Sequence, residues 1–133
     1  MSCADFCFSG GFDDGADVAD VTIRRARKSH RCEECRETIA VGQSYEHTSM
    51  LYEGTWERYR TCLPCAEIRN ALSCDGSWVW GQLWRNAADV TFPAFQRASP
   101  IDCLAKIESL AARDKLRAKF AEWEQQHPRE VDE

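Results

Sequence analysis

The sequence predicts a small α+β fold, and three observations carry that prediction. Two Cys-x-x-Cys pairs, Cys32-Glu33-Glu34-Cys35 and Cys62-Leu63-Pro64-Cys65, stand with 26 residues between Cys35 and Cys62. Residues 43–51 and 55–61 form two strand-like runs joined by Tyr52-Glu53-Gly54, whose glycine eases a tight turn. The second cysteine pair then opens a helical run over residues 66–72, with Ile68 and Leu72 four apart on one face.

Each element has a local cause. After Cys35, the stretch Arg36-Glu37-Thr38-Ile39-Ala40-Val41-Gly42 gives a knuckle turn, an apolar residue and a glycine-mediated reversal. Knuckle, hairpin, then a helix carrying two cysteines at its start is the order of a treble-clef zinc finger. Cys32, Cys35, Cys62 and Cys65 would supply four thiolates, which suit tetrahedral zinc and leave no position for water or substrate. A metal bound this way is structural. It holds together a segment with too few apolar residues to fold alone. Two alternatives were weighed. Paired redox dithiols lack the βαβ context such motifs need, and the spacings differ from those of iron–sulfur ferredoxins.

Four cysteines remain. Cys3, Cys7 and Cys74, with Cys103 or a histidine, could converge on a second metal, or could be small buried apolar side chains. Nothing resembles a nucleophile with its base, and no phosphate-binding glycine loop is present. A ββα-metal nuclease needs a histidine near the hairpin's end and ligands on the helix, where this chain offers only Glu67 and Asn70. The expectation is therefore a non-enzyme.

At 133 residues the chain suits one domain, or a zinc module with an appendage, and no apolar run is long enough to span a membrane. Its start lacks a secretory signal, so reduced thiols and a cytoplasmic location are expected. The net charge of −5 argues against broad coating of a nucleic acid. Charge is unevenly placed, however. Residues 1–20 hold five Asp and no Lys or Arg, whereas Arg24, Arg25, Arg27, Lys28 and Arg31 run up to Cys32 with His30 among them. This run is either a phosphate-contacting arm or a solvated strand balanced by the acidic segment and by Glu33, Glu34 and Glu37. The second is favoured, with His30 an ordinary surface residue.

Residues 73–88 hold Trp78, Trp80 and Trp84; Gly76 and Ser77 supply a break and a cap before a helix on which Trp80, Leu83 and Trp84 share one face. The tryptophans either roof the metal-bound core, which is favoured, or form a contact surface. Residues 89–99 follow as a connector. Ser99 as N-cap, Pro100 and Asp102 then predict a helix over residues 100–128, with Ile101, Leu104, Ile107, Leu110, Leu116, Phe120 and Trp123 along it. Arg113-Asp114-Lys115 interrupts that stripe. Either the helix bends near Arg113 to pack back, or its distal ridge of Leu116, Phe120 and Trp123 docks on a second copy, giving a homodimer, or on another protein; the docked ridge is the expectation. The domain reading is thus an acidic segment at 1–20, a zinc module at 21–88, a connector at 89–99 and a long amphipathic helix at 100–128.

The run from Ala26 through Cys35, then Ile39, Gly42, Tyr45, Trp56 and Thr61-Cys62-Leu63-Pro64-Cys65, resembles a group of small treble-clef proteins encoded by phages and prophages. Cys74-Asp75-Gly76 and the tryptophans after it fit the same group. The resemblance covers roughly the first two thirds of the chain. It implies a zinc fold and a viral or prophage origin, within a bacterial host cell, and it transfers no activity. Two function classes follow: a binder of a host or phage protein, such as a regulator or inhibitor of host defence, and a nucleic-acid binder. The second would use Arg24, Arg25, Arg27, Lys28 and Arg31 with the helix after Cys65, and Arg58, Arg60 and Arg69 would add charge. Residues 21–70 hold nine Lys or Arg against seven Asp or Glu. That balance is too even to decide, and the protein partner is preferred.

Overall fold

The computed structural model describes residues 18–72, 81–97 and 107–127. Within them the chain builds a mixed α+β fold on a three-stranded antiparallel sheet. Its strands are β1 (Val18–Arg25), β4 (Ser44–Tyr52) and β5 (Thr55–Cys62), in the order β1-β4-β5. Two short strands, β2 (His30–Arg31) and β3 (Thr38–Ile39), pair separately. The β4–β5 hairpin matches its sequence expectation closely. Glu53 and Gly54 both take positive φ, 50° and 77°, the backbone of the tight turn whose twist suits two right-handed strands.

β1 is a departure from the sequence reading. The basic run at residues 24–31 was expected as a solvated strand, but the strand ends at Arg25 and starts back at Val18, inside the segment assigned to an acidic tail. Beyond it the chain reverses, with Ala26 N–H donating to the Gln43 carbonyl (2.9 Å) and Gly42 N–H to that of Ala26 (2.8 Å). Residues 20–25 are exposed on both faces of the strand, so no buried period-two stripe marks it in the sequence.

The helices are α1 (Leu63–Leu72), α2 (Leu83–Asn86), a π-helical turn (Ala87–Thr91), α3 (Phe92–Arg97) and α4 (Leu110–Gln126). The supposed connector is therefore largely helical. It supplies Phe92 and Phe95, each 3 % exposed, to the core. Trp84 lies on α2 as the helical reading required, while Trp78 and Trp80 lie outside the described residues.

The long helix is corrected too. Ile107, Glu108 and Ser109 are not helical, and α4 begins at Leu110. Ser109 caps it: its Oγ accepts from Ala112 N–H (3.1 Å), while its own N–H donates to the Glu67 carboxylate of α1 (3.2 Å). Arg113 Nε donates to the Ile107 carbonyl, tying the segment before the cap to the start of α4. The apolar period running through this cap had concealed it. The proposed Ser99 cap lies outside the described residues.

The shorter helix lies against α1, and that changes the fate of its ridge. Leu116 is 1 % exposed and belongs to the main core, with Phe120 and Trp123 partly buried against it. Phe92 is the hub. Its ring centroid lies 5.5 Å from that of Phe120, 6.0 Å from Trp123 and 6.4 Å from Trp84. Phe95 meets Phe120 edge-on at 5.5 Å. The ridge expected to dock on a second copy or a partner is thus packed by its own chain, the alternative the sequence left open, because the helical segment around Phe92 supplies the covering rings. No helix among the described residues is long and apolar enough to cross a membrane.

Candidate metal centre

The four cysteines meet at the junction of the two hairpins and α1. Cys32 and Cys35 flank the turn between β2 and β3, Cys62 ends β5, and Cys65 lies in the first turn of α1. Arg36 closes the first turn in the left-handed region at φ 66°, its N–H donating to the Cys32 carbonyl (2.9 Å). All four thiols are free and buried, with Sγ atoms within 4.8 Å of one another.

This arrangement fits a tetrahedral metal. Metal–sulfur bonds of about 2.3 Å put neighbouring sulfurs about 3.8 Å apart. Cys35 and Cys62 stand at 3.9 Å. Cys32 Sγ accepts from the N–H groups of Glu34 (3.4 Å) and Cys62 (3.3 Å), donors suited to a thiolate. Without a cation the cluster resists full ionisation. Hydrogen bonds from Cys35, Cys62 and Cys65 draw the Cys32 thiol down, while those to Cys32 and its neighbours push Cys62 and Cys65 up. A divalent ion removes that conflict.

Three polar features beyond the four thiols were not foreseen in the sequence: one ammonium at the cluster, one glutamate within the first cysteine turn, and one ion pair that seats α1. Lys115, on α4, points its ammonium at the site, 3.2 Å from Cys35 Sγ and 3.5 Å from Cys62 Sγ, and also pairs with Glu37. Burial opposes its charge, and the bonds to Glu37 and Cys35 outweigh burial, so its pKa is raised. The charged break in the α4 stripe is therefore the point where the helix reaches the cysteine cluster. Four thiolates around one divalent cation leave two negative charges, and Lys115 offsets one. Lys115→Met is expected to weaken metal affinity by about 10- to 100-fold, measured by competition with a chromogenic chelator. Unchanged affinity would show that the ammonium is incidental.

Glu34 is the second missed residue. It is 8 % exposed, and its carboxylate accepts from Gly81 N–H (3.0 Å) and Leu83 N–H (3.1 Å), tying the first cysteine turn to the start of α2. Burial pushes its pKa up against those bonds. The third is the Arg69–Glu46 pair, a two-pronged bridge from α1 to β4 at 2.8 and 2.9 Å, with 2 % and 5 % exposure.

These pairings change the charge balance around Arg24, Arg25, Arg27, Lys28 and Arg31. Of the glutamates expected to offset them, Glu34 turns inward, Glu37 meets Lys115, and Glu33 lies 3.6 Å from Arg36. None of the five basic residues makes an ion pair among the described residues. Arg24, Arg25, Arg27 and Lys28, with Ala26, His30 and Tyr45, line an open cleft of about 970 Å³. His30 is half-buried over Tyr45, ring centroids 5.4 Å apart, rather than free on the surface. Arg69 was expected to add exposed positive charge, but burial against Glu46 removes it, and α1 then presents no cation. Cys3, Cys7, Cys74 and Cys103, the candidate second site, lie outside the described residues.

Comparison with protein-family models, curated proteins and solved structures finds no match for this chain.

Proposed function

We propose that this protein is a non-enzymatic binding module built in treble-clef fashion around one structural zinc ion. The observation that carries the reading is the buried four-cysteine cluster. Its sulfurs lie within 4.8 Å of one another, Cys35 and Cys62 at 3.9 Å, and its neighbours are amide and ammonium donors. Such a shell is complete with four protein ligands and holds no position for a reacting water. Zinc is the ion best suited to four thiolates without redox chemistry. Metal analysis of purified protein is expected to show one zinc per described site. A folded, metal-free protein would end the reading.

The partner follows from what the frame displays. With the α4 ridge covered, the basic cleft and the sheet beside it form the principal charged surface, which favours a polyanion. A protein partner, such as a target that this chain regulates or inhibits, is the second reading. The observation favouring it is β1, which pairs only with β4 among the described residues and leaves Val21 46 % and Ile23 61 % exposed. Another chain could add a strand there. Self-association along that edge is expected to give a dimer in sedimentation that Val21→Lys with Ile23→Lys disperses. A parent protein monomeric at high concentration would exclude the homodimer.

A further inference from the structure

We propose that one face of the β1-β4-β5 sheet, from the basic cleft to Trp56, binds single-stranded nucleic acid. The inference rests on the zinc-organised binding-module reading, since the cysteine cluster fixes the end of β5. The register places the residues. Arg24 stands opposite Tyr45 and Tyr45 opposite Cys62; Thr22 opposes His47, and His47 opposes Arg60. Ser49 opposes Arg58, and Leu51 opposes Trp56. Directly opposed residues share a face, and side chains alternate along a strand, so Trp56, Arg58 and Arg60 project on the same side as Arg24 and Tyr45. From Trp56 to Arg60 the strip runs about 14 Å, and at Arg24 and Tyr45 it opens into the cleft.

The electrostatics agree with that placement. His47, 5 % exposed in the middle of the strip, has its pKa lowered by burial and then by Arg24, Arg60 and Arg58. The three arginines therefore converge on one side of the sheet. Neither Arg24, Arg58 nor Arg60 makes an ion pair among the described residues. Asp20, beside Ser49 in the register, is the one carboxylate in the same rows. Cations ranged along one side of the sheet, without acidic partners among the described residues, call for an anion longer than a single phosphate.

Trp56 decides what kind of anion. It is 61 % exposed at the far end of the strip, in a chain that buries Phe92 and Phe95 almost completely. An arginine row ending in an exposed indole suits a strand whose phosphates follow the cations while a base stacks on the ring. Duplex DNA hides its bases and rewards extended positive charge, which an overall charge of −5 does not provide. Moreover, α1, the expected groove-reading helix, carries only the buried Arg69.

The test is fluorescence anisotropy of the full zinc-loaded chain with a labelled mixed-sequence single strand, and with the duplex made from it. The single strand is expected to bind more tightly. Trp56→Ala should weaken it about tenfold. Arg58→Ala with Arg60→Ala should lower the slope of log affinity against log salt by about 1.4. Arg85→Ala with Arg117→Ala removes the same charge at exposed helix positions and should leave binding unchanged. The Trp56 and Arg58 side chains are exposed, so circular dichroism and zinc content should not move; Arg58→Ala alone serves should the Arg60 change disturb folding. Zinc-loaded, folded protein that fails to bind the strand, prefers the duplex or ignores these changes overturns the inference and leaves the zinc reading standing. Folded protein without zinc overturns the latter instead.

Discussion

Replacing Cys62 by serine is expected to unfold the sheet and α1 together. Cys62 sits where two restraints coincide. It ends β5, pairing with Tyr45 across the hairpin, and its thiol is one of four within 4.8 Å. Removing it opens the metal shell and exposes the remaining thiolates to competing ligands. Structural zinc contributes about 10–16 kcal/mol of apparent binding energy in small modules. A whole domain is typically stable by only about 5–15 kcal/mol. Loss of one ligand can therefore consume the entire margin. The expected result is loss of far-UV circular dichroism and of bound zinc in Cys62→Ser. A strong chelator should melt the parent protein in the same way. Retained structure in the variant, with a full complement of zinc from three cysteines and a water, would show a site less essential than its geometry implies.

The same residue shows why part of this structure was legible in the sequence. Ligand spacing is strictly local chemistry: two residues separate the members of each pair, and a hairpin with a two-residue turn must bring the pairs together. Glu53-Gly54 and the Cys-x-x-Cys pairs therefore announced β4, β5 and the site. The opposite holds for α4. Its apolar residues run on in register through Ser109, so the helix seemed to continue, and the Ser109 cap together with the Glu67 contact from α1 shows where α4 starts. Glu34 and Lys115 were equally hidden. A glutamate between two cysteines and a lysine in a charged triplet look like surface residues until tertiary contacts bury them beside Leu83 and Cys35. Arg69 was misread as free positive charge, and Glu46 was passed over, for the same reason. A charged pair 23 positions apart has no period to betray it.

That pair carries the second large expectation. Arg69→Met is expected to destabilise the zinc-loaded protein by about 3–5 kcal/mol in urea unfolding, because it strands the Glu46 carboxylate in the interior. Glu46 neighbours Thr61 in the register and lies under α1, so its two oxygens lose both guanidinium donors at once. Methionine covers much the same stem volume as arginine, and the loss is electrostatic rather than a cavity. The partner change separates these causes. Arg69→Met with Glu46→Leu removes both charges and leaves no buried ion unpaired, so the double variant should recover most of the stability. Were the double variant as unstable as Arg69→Met alone, packing by the arginine stem would be the dominant contribution instead. Zinc content should stay at one ion per chain in every variant. The bridge joins α1 to β4 and involves none of the four cysteines, so it sets how firmly the helix is seated rather than whether the metal binds.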